Sequence, residues 1–231
     1  MPFAPLDSPS RSIVARWTQL LVGLLAFALS IALMIRGGLG LGPWDAFHVG
    51  LHRLTGMTVG TASIVAGIVI VAISLVLKAR PGPATIANMV LIGIFTDLAL
   101  PVVPEARGFP IGLAYHVAGI VLIGLATGMY LGARLGAGPR DGLMTALSAR
   151  YGWSISRTRT GIELSVLALG WLMGGTLGLG TILFAVAVGP SVQWGMRLFG
   201  LIRMPDATSA IVPDVLADPA AGDTPRPASS V

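Results

Sequence analysis

The chain has 231 residues, of which 54% are hydrophobic and 11% charged, with a net charge of +5 and a mean hydropathy of +0.83. An average soluble domain is about 25% charged, so the composition excludes an ordinary water-soluble enzyme or nucleic-acid-binding domain and assigns most of the chain to lipid. It contains no cysteine, which excludes disulfides and thiolate metal sites.

Residues 1–12 are rich in Pro and Ser and too polar to pack, so they read as a disordered tail. Arg16–Ile35 is the first apolar run near the roughly 20 residues that cross a hydrocarbon core, and its length fits an uncleaved helix better than a signal peptide. Leu39–Asp45 follows, reading L-G-L-G-P-W-D. Pro43–Leu54 then predicts a short helix: Gly42 caps it, Pro43 suits its first turn, Asp45 complements the positive end of its dipole and Gly56 closes it. At about twelve residues it is too short to span, so it is expected to be re-entrant or interfacial. Further spans are expected over Thr58–Leu77, Ala84–Leu100 and Ile111–Leu131. A second short helix is expected over Pro139–Arg150, and two last spans over Thr160–Met173 and Thr181–Phe199. Residues 204–231, rich in Pro, Ala, Asp and Ser, form a second tail.

Leu135–Asp141 reads L-G-A-G-P-R-D, an echo of the first motif displaced by 96 positions. The displacement holds for 13 identities over Leu39–Gly93 without a gap, a duplicated unit too long for a solenoid repeat. The chain therefore divides into a membrane repeat over 13–108 and another over 109–203. Three spans per unit is an odd number, so the second copy enters the membrane the other way round. The expected fold is an all-α integral membrane protein of six transmembrane helices in two inverted-topology repeats of three. Each repeat carries a short re-entrant or interfacial helix after G-x-G-P-x-D, and inverted repeats are common among secondary transporters. Basic residues test the orientation. With both termini cytoplasmic, 11 Lys and Arg fall inside against Arg36, Arg53 and Arg107 outside, whereas eight spans would give 9 against 5.

Gly124, Gly128, Gly132 and Gly136 fall on one helical face, and small residues set helix contacts in lipid. The matched row is Ala28, Ala32, Arg36 and Gly40, so the first and fourth spans are expected to pack closely on each other. The repeated motif residues Gly40, Gly42 and Pro43, with Gly136, Gly138 and Pro139, mark where the backbone turns into each short helix.

Ionisable groups at membrane depth are costly and therefore candidates for function. Asp45 and Asp141, mates in the motif, are the first coupling-site candidates, although an acid in a helix's first turn also stabilises it by roughly 0.3–1 kcal/mol. Asp97 and Gln193 form a second pair of mates, and Asn88, Thr85 and Thr181 add polar groups to the same two helices. Gly189-Pro190 is expected to kink or break the sixth span. Glu163 pairs with Arg159 at i,i+4, and His116 reads as a hydrogen-bonded structural histidine. His48 and His52 share a helix face at metal-ligand spacing, but the second copy has Met144 and Ser148 there, so no metal site is assigned.

G-L-G-P-W-D-A-F-H-x-G-L with T-G-x-T-V-G-T-A-S, then G-A-G-P-R-D-G-L-M and G-T-I-L-F-A-x-x-x-G-P, resembles the YczE/YitT group of bacterial multi-pass membrane proteins over about residues 36–192. The resemblance implies a bacterial plasma-membrane location and carries over no catalytic residue. Two functions are compatible with the residues: a small permease-like transporter of unknown substrate, or a non-transporting accessory or scaffold protein for a partner complex. An enzyme is not expected, since the chain has no phosphate loop, Ser/His/Asp order or intramembrane-protease signature, and no cofactor is expected. The partners this class admits are the lipid bilayer, a small solute or ion and a second copy of the chain, not nucleic acid.

Overall fold

A computed structural model describes residues 12–79, 81–136 and 138–201; both tails predicted from the sequence, 1–12 and 204–231, lie outside the described residues apart from Ser12. The described residues form eight α-helices and no strand. These are α1 (Ile13–Gly37), α2 (Pro43–Thr55), α3 (Val59–Val76), α4 (Pro83–Ala99), α5 (Phe109–Gly132), α6 (Pro139–Tyr151), α7 (Ile155–Leu172) and α8 (Leu179–Leu198). The duplication in the sequence is a duplication of local structure. α2 and α6 are both 13 residues long, both begin at Pro after an extended Gly cap, and both end at a left-handed glycine, Gly56 at φ 76° and Gly152 at φ 68°. α4 and α8 open on mated side-chain caps, Thr85 Oγ1 accepting from Gly82 N–H and Thr181 Oγ1 from Gly178 N–H, each at 3.2 Å. The threonines expected to add polar groups to the membrane interior are thus occupied at helix starts, where backbone N–H groups need partners.

The two halves meet along α1 and α5, which run antiparallel. Gly37 lies against Gly112, Gly119 against Ser30 and Met34, and Gly23 against Ala126, Met129 and Tyr130. The small residues recur every seventh position on each helix, so the backbones touch where lipid supplies no hydrophobic drive. Arg16 closes one end of this pair, its Nε donating to Ala133 O at 2.8 Å, beside the carbonyls that α5 leaves without intrahelical partners. Around the pair, α1 packs on α4 and α5 on α8, while α2 packs on α7 and α6 on α3. The short helix of each half therefore rests on a long helix of the other. Backbone bonds cross the same way: Ala84 N–H donates to Leu135 O at 3.1 Å and its mate Gly180 N–H to Leu39 O at 2.7 Å. The core follows this seam, with Leu20, Leu24, Ile31, Ile92 and Tyr130 on one side and Met34, Leu41, Ala46, Ile120 and Ile123 on the other.

Four described helices, α1, α3, α5 and α8, are long and apolar enough to cross a membrane. Of the other two expected spans, α4 is apolar but has 17 residues, and α7 carries Arg157, Arg159 and Glu163. α7 also begins earlier than its charges predict, because Ser154 accepts from Arg157 N–H at 3.3 Å and adds a turn. The glycine row behaves differently from expectation. Gly124 and Gly128 face Ser191, Gly195 and Phe199 at α8, only Gly132 approaches α1, through Gln19, and Gly136 lies in the motif loop. The contact of α1 with α5 uses the next face round, marked by the seven-residue spacing. Pro190 lies inside α8 without ending it; a proline frees a backbone carbonyl but is tolerated in membrane helices.

Gly119→Leu forces a side chain where a Cβ already meets Met34 Cγ at 2.7 Å and Ser30 O at 3.0 Å. It lowers stability by about 1–3 kcal/mol. Gly161→Ala, with nothing within 4 Å of the new carbon, leaves stability unchanged or slightly higher. Thermal unfolding in detergent, followed by tryptophan fluorescence, separates the two.

Candidate functional site

Each motif glycine allows one close approach. Gly40 and Gly136 sit at φ 103° and 126°, a region side chains rarely adopt, and they touch Gly178 and Gly82, the caps of α8 and α4. Gly42 lies against the ring of Phe184, and its mate Gly138 against the carboxamide of Asn88, the residue at the position equivalent to Phe184. Threaded through the other half in this way, the two short helices bring their first turns together.

Their meeting point is a charged centre. Trp44 and Arg140, the variable residues of the two G-P-x-D motifs, touch each other: the Arg140 guanidinium lies 4.6 Å from the centroid of the Trp44 ring. A cation over an indole face is stabilised by about 0.5–2 kcal/mol, more where water is excluded. Arg140 also lies in the field of Asp45, Asp141 and Glu163. Asp45 is 5% exposed, in the first turn of α2. Asp141 accepts from Tyr130 Oη at 3.1 Å and from the backbone of Gly138, so one carboxylate both caps its helix and holds a buried phenol. His48 is 2% exposed and packs between Trp44 and Phe47, with ring centroids 6.5 and 6.1 Å away. Arg159 and Glu163 form an ion pair at 2.9 Å on α7 and extend the centre toward that helix.

Asp45, Asp141 and Asn88 therefore come together, and Asp97 and Gln193 do not join them. Asp97 accepts from Thr58 Oγ1 at 2.5 Å and from Gly60 N–H at 2.7 Å, so it caps the start of α3 from α4. Gln193 is exposed on α8. His52 bonds Met57 O at 2.5 Å, and its mate Ser148 bonds the mated carbonyl of Trp153, so histidine and serine do the same work at a turn. No group of three His, Cys, Asp or Glu able to hold a metal occurs among the described residues. His116 is fully buried with Nε2 2.9 Å from Gly180 O. The sequence reading missed Arg140 and Tyr130. Arg140 had one legible signal, an arginine replacing Trp in an otherwise repeated motif; Tyr130 had none.

Long apolar helices, antiparallel small-residue packing and an arginine on an indole face in the field of interior carboxylates define a polytopic helical membrane protein with a polar centre. The chain belongs to a family of unknown function, DUF6198, whose profile matches residues 14–197. It is 42% identical over 188 residues to the uncharacterized membrane protein YczE of Bacillus subtilis (strain 168), covering 80% of this chain and 87% of that protein. An uncharacterized protein of Haemophilus influenzae is 34% identical over 189 residues, 80% of this chain and 86% of its own length. The uncharacterized protein YyaS of Bacillus subtilis is 31% identical over 166 residues, 70% and 83% of the two chains. No solved structure matches the chain. The membrane assignment and the YczE-like resemblance drawn from the motifs agree with these relatives.

Arg140→Leu removes the cation from the Trp44 face and from the field of Asp45 and Asp141, and destabilises the protein by about 0.5–2 kcal/mol, the range for a cation on an indole face. Adding Asp45→Asn recovers part of the loss, because one unpaired charge goes with it. A double-mutant cycle in detergent unfolding measures the coupling.

Proposed function

We propose that this protein is a small permease of the bacterial inner membrane, with six spans in two inverted-topology repeats, both termini cytoplasmic and the substrate path passing the Asp45–Arg140–Asp141 centre. The observation that carries this reading is the meeting of two repeated motifs at one buried charged site, each delivered by a short helix that rests on the opposite half. Helix starts brought to the interior between repeats are a binding arrangement of secondary transporters. The odd number of spans per repeat, the antiparallel α1–α5 seam and the reciprocal backbone bonds all support inverted repeats. The excess of basic residues on one side supports the orientation.

Charge narrows the solute. Among the described residues, the carboxylates of Asp45, Asp141 and Glu163 face the guanidiniums of Arg140 and Arg159. With all ionised, the cluster has one negative charge in excess, and an unpaired charge away from water is costly. A cation or a proton neutralises it, so the favoured cargo or coupling ion is cationic. No group in the cluster is assigned a bond-making role, and we assign no enzyme activity.

The test is a proteoliposome flux screen over monovalent cations, protons and small organic cations. The expected result is flux by the native chain, lost in Asp45→Asn although that variant remains folded. A folded protein that moves none of them leaves the scaffold reading in its place. Single-cysteine labelling tests the orientation, with Ala79→Cys reacting from the cytoplasmic side and Ala106→Cys from the outside.

A further inference from the structure

The packing of the two halves differs most at their last two helices. In the first half α3 and α4 are locked together. Gly60 touches Gly93 and Asp97, a Cβ on Gly67 would lie 3.5 Å from Met89 Cβ, and Asp97 bonds the start of α3. In the second half α7 packs on α2 and α6, and α8 on α5, with no comparable packing between α7 and α8. Gly189, the mate of Gly93, has nothing within 4 Å of a built Cβ, and Ser156, Thr160, Ala185 and Gln193 are exposed.

We infer that α7 and α8 form a gate to the charged centre, open in this structure, whose closed state is the packing that α3 and α4 already display. The inference rests on the permease reading and adds the moving part. The residues for closure are present. Gly189 leaves room for Ser156, as Gly93 does for Gly60. In the closed pair a long side chain, Met89, covers a glycine; in the open pair the equivalent positions have the sizes exchanged, Glu163 on α7 and small Ala185 on α8. Gln193 occupies the position of Asp97, and its carboxamide oxygen reaches Ser154 Oγ and Ser156 N–H in the closed state, as the Asp97 carboxylate reaches Thr58 and Gly60. The neutral amide makes the weaker latch, which is why this gate rests open while the charged one rests shut, since hydrogen bonds to ionised groups are roughly twice as strong. Closure also draws Glu163 away from water. It therefore requires Arg159 or a cation to accompany that carboxylate, which links gate movement to the charged centre.

The chain has no cysteine, so paired substitutions read the gate directly. Gly67→Cys with Met89→Cys reports the α3–α4 lock, where the carbons already stand at disulfide separation; Glu163→Cys with Ala185→Cys reports the gate. Both are oxidised in proteoliposomes with copper phenanthroline and scored by loss of labelling with a polyethylene-glycol maleimide after denaturation. The lock pair is expected to crosslink almost completely and the gate pair in a minor fraction. Asp97→Ala raises the gate fraction several-fold and lowers the lock fraction; Gln193→Ala lowers the gate fraction. If Asp97→Ala does not fold, Asp97→Asn serves, with a smaller shift in the same directions. The inference is overturned if the gate pair never crosslinks although each cysteine reacts with a small maleimide, or if its yield ignores both latch substitutions. It is also overturned if flux continues unchanged through a fully crosslinked gate. Crosslinking as expected in a protein that moves no solute overturns the permease reading and leaves the gate standing.

Discussion

The contact between Trp44 and Arg140 is the constraint on which the rest of the structure depends. In the inverted-repeat reading, the two motifs approach each other across an axis, and a residue near that axis meets its own mate. Two arginines there would repel, and two tryptophans would leave Asp45 without its cation. One of each satisfies both requirements: the indole offers a face to the guanidinium, and the guanidinium lies in the field of the carboxylates. The variable letter in G-P-x-D is thus the position at which a duplicated chain has to stop being symmetric.

That contact forms only because the seam is narrow. Helices separated by leucine side chains would hold the short helices too far apart for a motif of one half to reach the other. Gly37 against Gly112 and Gly119 against Ser30 let α1 and α5 approach at backbone distance. Gly40 and Gly136 then turn the chain through conformations that side chains rarely adopt. The glycines are spent on distance first and on turning second, and the charged centre is assembled on the geometry they create.

Much of this was legible in the sequence, and what was missed has identifiable causes. The short helices could be placed because Gly, Pro and Asp act locally on the first turn, and Gly56 and Gly152 locally on the last. The duplication gave helix order for the second half once the first was read. The partner of a small-residue row was not legible: Gly124 and Gly128 reveal that a backbone comes close, and α8 has as good a claim to that place as α1. Asp97 shows the same limit. A carboxylate late in an apolar helix marks a cost that something must offset, but Thr58 and Gly60, which offset it, are distant in sequence. The first turn of α7 lies ahead of the expected span over Thr160–Met173 because a hydropathy run does not register the cap at Ser154.

The departures from symmetry carry more functional content than the symmetry itself. Repetition explains why α2 resembles α6, but it gives no reason for Asp97 to have become Gln193, or for Gly67 to have become Glu163 while Met89 became Ala185. Random drift under a packing constraint would keep one residue large and its counterpart small, and these equivalent positions do so with the sizes exchanged. It would not place a carboxylate on the exchanged residue, because Met or Leu fills the same volume without a burial cost. A glutamate paired to an arginine that also lies in the field of Asp141 is explicable if, as in the inferred gate, its surroundings are wet part of the time. A scaffold helix has no such need. On the permease reading, the polar face of α7 is therefore the feature that most strongly favours transport over a purely architectural role.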